Sequence, residues 1–90
     1  MEEKIEIPIS ESQRKLLHET VKGDIMDEDI DRAISAVVSK EGKNYIYLDP
    51  LELEDLIGTI CFISNHEKNN NKLVRQLENL ADYLEKYLDE

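Results

Sequence analysis

Cysteine is scarce in this sequence, as are tryptophan and the residues that interrupt helices. Cys61 is the single cysteine, tryptophan is absent, and three glycines and two prolines occur among 90 residues. One cysteine cannot form an intramolecular disulfide, so a small secreted scaffold held by disulfides is excluded. The three glycines stand far apart, which excludes a glycine-rich phosphate-binding loop.

Long apolar runs are missing as well. No run approaches the roughly 20 residues that a membrane-spanning helix requires. The segment Met1-Glu2-Glu3-Lys4 lacks the basic start and apolar core of a signal peptide. We therefore expect a cytoplasmic protein without a membrane segment. Its length predicts a single small globular domain over residues 1–90.

Basic residues are outnumbered by acidic ones. The sequence has 11 Lys and Arg against 21 Asp and Glu, which gives a formal net charge of −10. Excess negative charge repels phosphate backbones and anionic lipid surfaces, so we expect no direct binding to nucleic acid or membrane. A basic protein remains a candidate partner, although net charge in small proteins often serves solubility alone.

The apolar pattern predicts an α+β, mostly helical fold with the order β-α-α-β-α-α. Ile5, Ile7 and Ile9 alternate with polar residues or proline, which indicates a strand, and Pro8 places that strand at a sheet edge. The β-formers of residues 45–48 predict a second strand. A two-stranded sheet of this kind needs helices on one face.

Two helices are expected between these strands. The first spans about residues 11–22, with Gly23 as its C-terminal cap. The second begins near residue 27 and, on its i, i+3, i+4, i+7 apolar spacing, ends near residue 39 or 40. The alternative is a strand over residues 36–39 that forms a hairpin with the next strand. The intact helical spacing favours the helix.

The start of the third helix is the clearest in the chain. Asp49-Pro50-Leu51-Glu52 supplies an acidic cap, proline at the first helical position and glutamate at the third. We expect helix 3 to end near Asn65 and helix 4 to span about residues 72–88. The polar turn between them is short, which predicts a C-terminal antiparallel helix hairpin.

Helix 3 has two apolar faces. The main stripe consists of Leu53, Leu56, Ile57, Ile60 and Ile63. At 100° per residue, Leu51, Gly58 and Phe62 project to roughly the opposite side. Glycine inside a helix costs about 1 kcal/mol relative to alanine, which indicates close approach by another group there. The second face packs either on the domain's own core or on another chain.

The second strand presents a pair of tyrosines. Tyr45 and Tyr47 share one face, while Ile46 and Leu48 point to the other and are expected in the core. Tyrosine is enriched at protein interfaces. Packing of the two rings beneath helix 1 or helix 2 is the alternative.

These features favour a non-enzymatic protein-interaction or regulatory domain that forms a homodimer. The hypothesised surface combines Leu51, Gly58 and Phe62 with Tyr45 and Tyr47. The alternative surface is an open sheet edge, because pairing of edges across a two-fold axis would give a four-stranded sheet.

Helix 4 carries an acidic ridge. Its members follow a spacing of four, three and four residues: Glu78, Asp82, Glu85 and Asp89. Like charges so placed destabilise a helix by a few tenths of a kcal/mol each. The ridge is either a solvated face or a contact surface for a basic partner. It motivates an alternative function, an acidic inhibitor or antitoxin-like partner of a basic nucleic-acid-binding protein.

The sequence offers little for metal binding. Asp27, Asp29 and Asp31 match the first ligand positions of a calcium loop, but Arg32 stands where glycine is needed and Val38 where glutamate is needed. One cysteine and two histidines are too few for a standard zinc site. We therefore predict neither a metal nor a cofactor.

Catalytic patterns are equally weak. The serines lack a nucleophile-elbow context, and Cys61 lies among isoleucines, so we expect an inert thiol in the core. A small enzyme is the third and least favoured function, because it would need a deep pocket with perturbed carboxylates or His66.

Overall fold

The computed structural model describes residues 3–88, and these residues form a three-stranded antiparallel sheet with four α-helices. The α+β, mostly helical class is confirmed, whereas the two-stranded sheet was wrong because a third strand is present. The elements in chain order are β1 (Ile5–Ile9), α1 (Glu11–Leu16), α2 (Glu28–Ser35), β2 (Val38–Lys40), β3 (Lys43–Leu48), α3 (Pro50–His66) and α4 (Asn71–Glu85).

The third strand arises because α2 ends earlier than expected. Ser35 is its last residue, and Ala36 leaves the helical region with φ −95° and ψ 53°. Glu41 and Gly42 then adopt positive φ angles of 51° and 79°. Two successive positive φ angles define the type I′ turn, whose twist matches an antiparallel hairpin. The strand alternative for this segment is therefore correct, and the extended helix was wrong.

The sheet order is β1-β3-β2, so β3 is the central strand. Ile7 lies opposite Ile46, and Val38 lies opposite Tyr45. Side chains alternate between the two faces of a strand. Ile7 and Ile46 are fully buried, whereas Tyr45 is half-buried and Val38 is exposed. The helices therefore cover the face that carries Ile7 and Ile46.

The segment after β1 is less regular than the single helix that the sequence predicts. Helix α1 is followed by a π-helical segment, Leu17–Val21, and by a 3-10 turn, Lys22–Asp24. Gly23 lies within that turn and does not have a positive φ, so its expected role as a helix cap was wrong. Leu17 and Val21 are nevertheless fully buried in the core.

Helices α3 and α4 pack against each other as a hairpin across residues 67–70. Asp49 and Glu52 form a capping box at the start of α3. Glu52 also accepts a hydrogen bond from Lys4 Nζ at 2.5 Å, which ties the start of β1 to α3. Asn70 caps α4. The core is formed by the inner face of the sheet, by the π-helical segment and by one side each of α2, α3 and α4.

Candidate interaction surface

The outer side of α3 is open to solvent and carries two large apolar side chains beside the acidic Glu54 and Asp55. The side chains of Leu51 and Phe62 are 65% and 57% exposed, and Gly58 between them is also exposed. The opposite side of the same helix is buried at Leu53 and Ile60. Apart from the two residues next to Gly58 and the nearby backbone of α3 itself, no atom of residues 3–88 lies within 4 Å of the position that a Cβ on Gly58 would occupy. The close approach expected at this glycine is therefore not made by the described chain.

The ring of Phe62 is held by a neighbour on the same helix. Its centroid lies 4.1 Å from that of His66, and the two rings are inclined by 29°. His66 Nδ1 lies 2.8 Å from the carbonyl oxygen of Phe62. An aromatic side chain already restrained in this way loses less conformational entropy when a partner covers it. The exposed ring is thus well prepared for contact.

Cys61 lies at the margin of this surface. Its side chain is exposed, so the expectation of a buried core thiol was wrong. The physical reason is its angular position, because residues 57, 60 and 64 of the same helix point inward and Cys61 lies just beyond their arc. The thiol can therefore report chemically on whatever covers α3.

The acidic ridge of α4 borders the same region. A surface groove between α3 and α4 is lined by Cys61, Ser64, Asn65, Val74, Leu77, Glu78, Ala81, Asp82 and Glu85. The three carboxylates of the ridge are exposed, and among the described residues none has a basic group within 4.0 Å. The fourth predicted member, Asp89, lies outside the described residues. On the α3 side this groove is lined by Cys61, Ser64 and Asn65, so the ridge does not share it with Leu51 and Phe62.

The tyrosine pair lies on the outer face of the sheet and contacts charges of its own chain. Lys40 Nζ lies 5.8 Å from the ring centroid of Tyr45 and 5.4 Å from that of Tyr47, within the range of a cation–π interaction. The Tyr47 hydroxyl donates to Glu6 Oε2 at 2.7 Å, and Lys40 Nζ donates to the same oxygen at 3.1 Å. These two bonds, from Tyr47 first and then Lys40, lower the pKa of Glu6 below its ordinary value.

The predicted composite surface is therefore divided between two parts of the molecule. Tyr45 and Tyr47 point away from the sheet face on which α3 packs, whereas Leu51, Gly58 and Phe62 lie on the far side of α3. The structure brings the three α3 residues together on one side of a helix. It does not bring the two tyrosines to them.

At the β1 edge of the sheet, the C-terminal helix bonds one backbone group. Pro8 has no N–H to offer, and its carbonyl oxygen accepts a hydrogen bond from the Tyr83 hydroxyl. Burial, and then a hydrogen bond with Tyr87, raise the pKa of Tyr83 above its ordinary value. The ring of Tyr83 also packs edge-on against Tyr87 with centroids 5.5 Å apart. The sequence analysis missed this contact. The one feature of the sequence that hints at it is a tyrosine beside the apolar residues of α4.

Other kinds of site find little support in the described part of the chain. Between residues 3 and 88, no cluster of three or more His, Cys, Asp or Glu side chains is arranged to hold a metal ion. None of the described helices combines the length and apolar character needed to cross a membrane. Comparisons with protein-family models, with curated proteins and with solved structures found no match for this chain.

Proposed function

We propose that this chain is a non-enzymatic protein-interaction domain that associates with a second copy through the outer side of α3. The observation that carries this proposal is the pair of large apolar side chains, Leu51 and Phe62, exposed on one side of a single helix. Isolated apolar residues on a surface are ordinary. Here they share one helix side with Gly58, which presents bare backbone to an incoming element.

The spacing of these residues suits a two-fold pair of antiparallel α3 helices. Leu51 and Phe62 are eleven residues apart, about 16 Å along the helix axis. In a two-fold symmetric contact, if one residue meets a second residue of the partner, then the second residue also meets the first residue of the partner. Leu51 would then meet Phe62 of the partner subunit at both ends, and Gly58 would lie near the crossing point, where small side chains permit close approach.

The expected dimer is weak. Complete burial of a leucine or phenylalanine side chain contributes about 1.5–3 kcal/mol, and both residues are already partly covered. Association costs at least about 4 kcal/mol in lost translational and rotational freedom. Two copies that each carry a net charge of −10 also repel each other. Added salt screens this repulsion, so we expect dimerisation to strengthen as ionic strength rises.

Light scattering over a dilution series, at about 0.05 M and about 0.5 M salt, tests the proposal. Phe62→Lys is expected to abolish the dimer. Met26→Lys is the matched control, because Met26 is 97% exposed, lies outside α3 and undergoes the same change of charge. A wild-type chain that stays monomeric at high micromolar concentration in both salts would contradict the proposal, as would equal effects of the two variants.

A second candidate function is an acidic partner that covers the basic surface of a nucleic-acid-binding protein. The unpaired carboxylates of Glu78, Asp82 and Glu85 favour it. Such binding would weaken as salt rises, because it depends on attraction between opposite charges. The sign of the salt dependence therefore separates the two functions.

A further inference from the structure

A cleft separates α1 and its π-helical continuation from α4. Its volume is about 590 Å³, within the range of roughly 300–1,000 Å³ that is usual for small-molecule sites. Three leucines form the apolar part of its lining: Leu80 is buried, and Leu16 and Leu73 are half-buried. Within residues 3–88, no part of α3 lines this cleft, so it is separate from the surface proposed for self-association.

Hydroxyl and amide side chains make up most of the polar lining. Ser12 and Thr20 lie on the α1 side of the cleft, and Gln76 and Asn79 lie on the α4 side. Each of these side chains can both donate and accept hydrogen bonds. The polar lining therefore suits a ligand whose own polar group also carries both a donor and an acceptor.

The cleft carries little charge. Lys15 and Glu19 are the two charged residues among the described residues that line it, and their charges cancel. In the whole chain 36% of the residues are charged, and the formal net charge is −10. An ionic ligand would meet no excess of opposite charge here, so the lining favours an uncharged ligand.

Both walls are held in place by contacts behind them. The π-helical segment buries Leu17 and Val21 in the core, and Leu77 of α4 is fully buried as well. His18 Nε2 of the π-helical segment lies 3.0 Å from the carbonyl oxygen of Ile34 in α2. Segments of π-helix are rare and frequently occur at functional sites. The cleft is therefore preformed, which spares a ligand the cost of ordering its walls.

We infer that this cleft binds a small uncharged molecule with an aliphatic part and a polar group that both donates and accepts hydrogen bonds, such as an amide. The aliphatic part covers Leu16, Leu73 and Leu80, and the polar group binds the hydroxyl and amide side chains. This site goes beyond the proposed function and does not depend on it, because the cleft and the outer side of α3 share no residue.

The probe is hexanamide, an uncharged amide with an aliphatic chain. Hexanoate and hexylamine carry similar chains with a negative and a positive charge, and acetamide lacks the chain. Titrations at about 0.5 M salt screen the net charge of the protein. We expect hexanamide to bind in the millimolar range, because it has few atoms. The other three compounds should each bind at least about fivefold more weakly.

The methyl signals of the leucines locate the bound probe by nuclear magnetic resonance. Those of Leu16, Leu73 and Leu80 should shift together as hexanamide is added. Leu51 is the control, because it is 65% exposed and lies on α3, outside the cleft. Its methyl signals should stay in place, whereas a general affinity of hexanamide for exposed apolar groups would shift them as well.

Two variants of α4 test the position of the site. Gln76→Trp places a large ring at the cleft, and we expect at least about tenfold weaker binding of hexanamide. Asn71→Trp is the matched control, because Asn71 is also an exposed amide of α4 but does not line the cleft. It should change the affinity by less than about twofold. Circular dichroism checks that both variants are folded.

Three results would each overturn the inference: equal binding of hexanoate, equal shifts at Leu51, or an equal loss of affinity in the two tryptophan variants. The variant Phe62→Lys separates this site from the proposed dimer. It should bind hexanamide as tightly as the unchanged chain does, even though its dimer contact is removed. Loss of hexanamide binding in Phe62→Lys would place the site on α3 and would also contradict the inference.

Discussion

The edge of β1 and the outer side of α3 are both surfaces that another chain could use, and they differ in how the protein's own residues cover them. At β1, Pro8 lacks an N–H and Tyr83 binds its carbonyl oxygen, so this residue offers an added strand neither a donor nor a free acceptor. On α3, residues 3–88 leave more than half of the surface of Leu51 and of Phe62 exposed. This difference supports the outer side of α3 as the place of contact in the proposed dimer.

The largest expected effect is the difference in stability between substitutions on the two sides of α3. Ile60 is fully buried and Phe62 is 57% exposed on the same helix. Ile60→Ala should lower the free energy of unfolding by about 2–5 kcal/mol, because it leaves a cavity in the core. Phe62→Ala should change it by less than about 0.5 kcal/mol in dilute monomer. Urea unfolding measures both, and similar losses would show that Phe62 is part of the core.

The next effect concerns the β1 edge. Tyr83→Phe removes the hydroxyl that binds Pro8, and we expect a loss of about 1–3 kcal/mol from a carbonyl group left without its partner. Tyr87→Phe is the control, because it keeps the bond to Pro8. If the bond from Tyr83 protects the β1 edge, the double variant Tyr83→Phe with Phe62→Lys should self-associate as its concentration rises, although its α3 contact is removed. A double variant that remains monomeric would show that Pro8 alone protects β1.

Titration of the Tyr83 hydroxyl should lower the free energy of unfolding at alkaline pH. The pKa of Tyr83 is raised in the folded chain, whereas an unfolded tyrosine has a pKa of about 10. A group whose pKa is raised by folding contributes stability that is complete below its unfolded-state pKa and is lost as pH rises from there through the folded-state pKa. The unfolding free energy should therefore decline above about pH 10, and less so in Tyr83→Phe. Parallel pH profiles for the two proteins would contradict this role.

The smallest effect concerns Gly58. Gly58→Ala should stabilise the monomer by about 0.5–1 kcal/mol, since alanine favours the helix and space for its Cβ is free. In the dimer the added methyl group would separate the two helices and weaken association. Asn79→Ala on the exposed side of α4 is the control, with a similar gain in stability and no effect on association. A tighter dimer in Gly58→Ala would show that the dimer contact does not include this residue.

Local signals account for what the sequence predicted well. The proline and the capping pair at the start of α3 define its beginning within a few residues. Alternating isoleucines define β1, and the two-sided pattern of α3 is reproduced in its burial. Each of these features has a sequence signal that lies within one helix or one strand, although the contacts that bury them come from distant elements.

The failures have distant or competing causes. Val37 and Val38 fit a helical spacing, but the turn at Glu41 and Gly42 and the pairing of Val38 with Tyr45 stabilise a hairpin instead. The bond between Pro8 and Tyr83 joins residues 75 positions apart. Periodicity carries no information about such a pair, which is why this bond was not foreseen.

The contact between Pro8 and Tyr83 has a consequence for synthesis on the ribosome. The first described strand cannot acquire its cover until the last described helix has been made, because the hydroxyl that binds it belongs to α4. The nascent polypeptide therefore emerges with an unprotected strand and with a sheet whose inner face lacks one of its helices. Chaperones that hold extended apolar segments have their greatest opportunity during this interval, and premature termination before α4 would leave a product that aggregates.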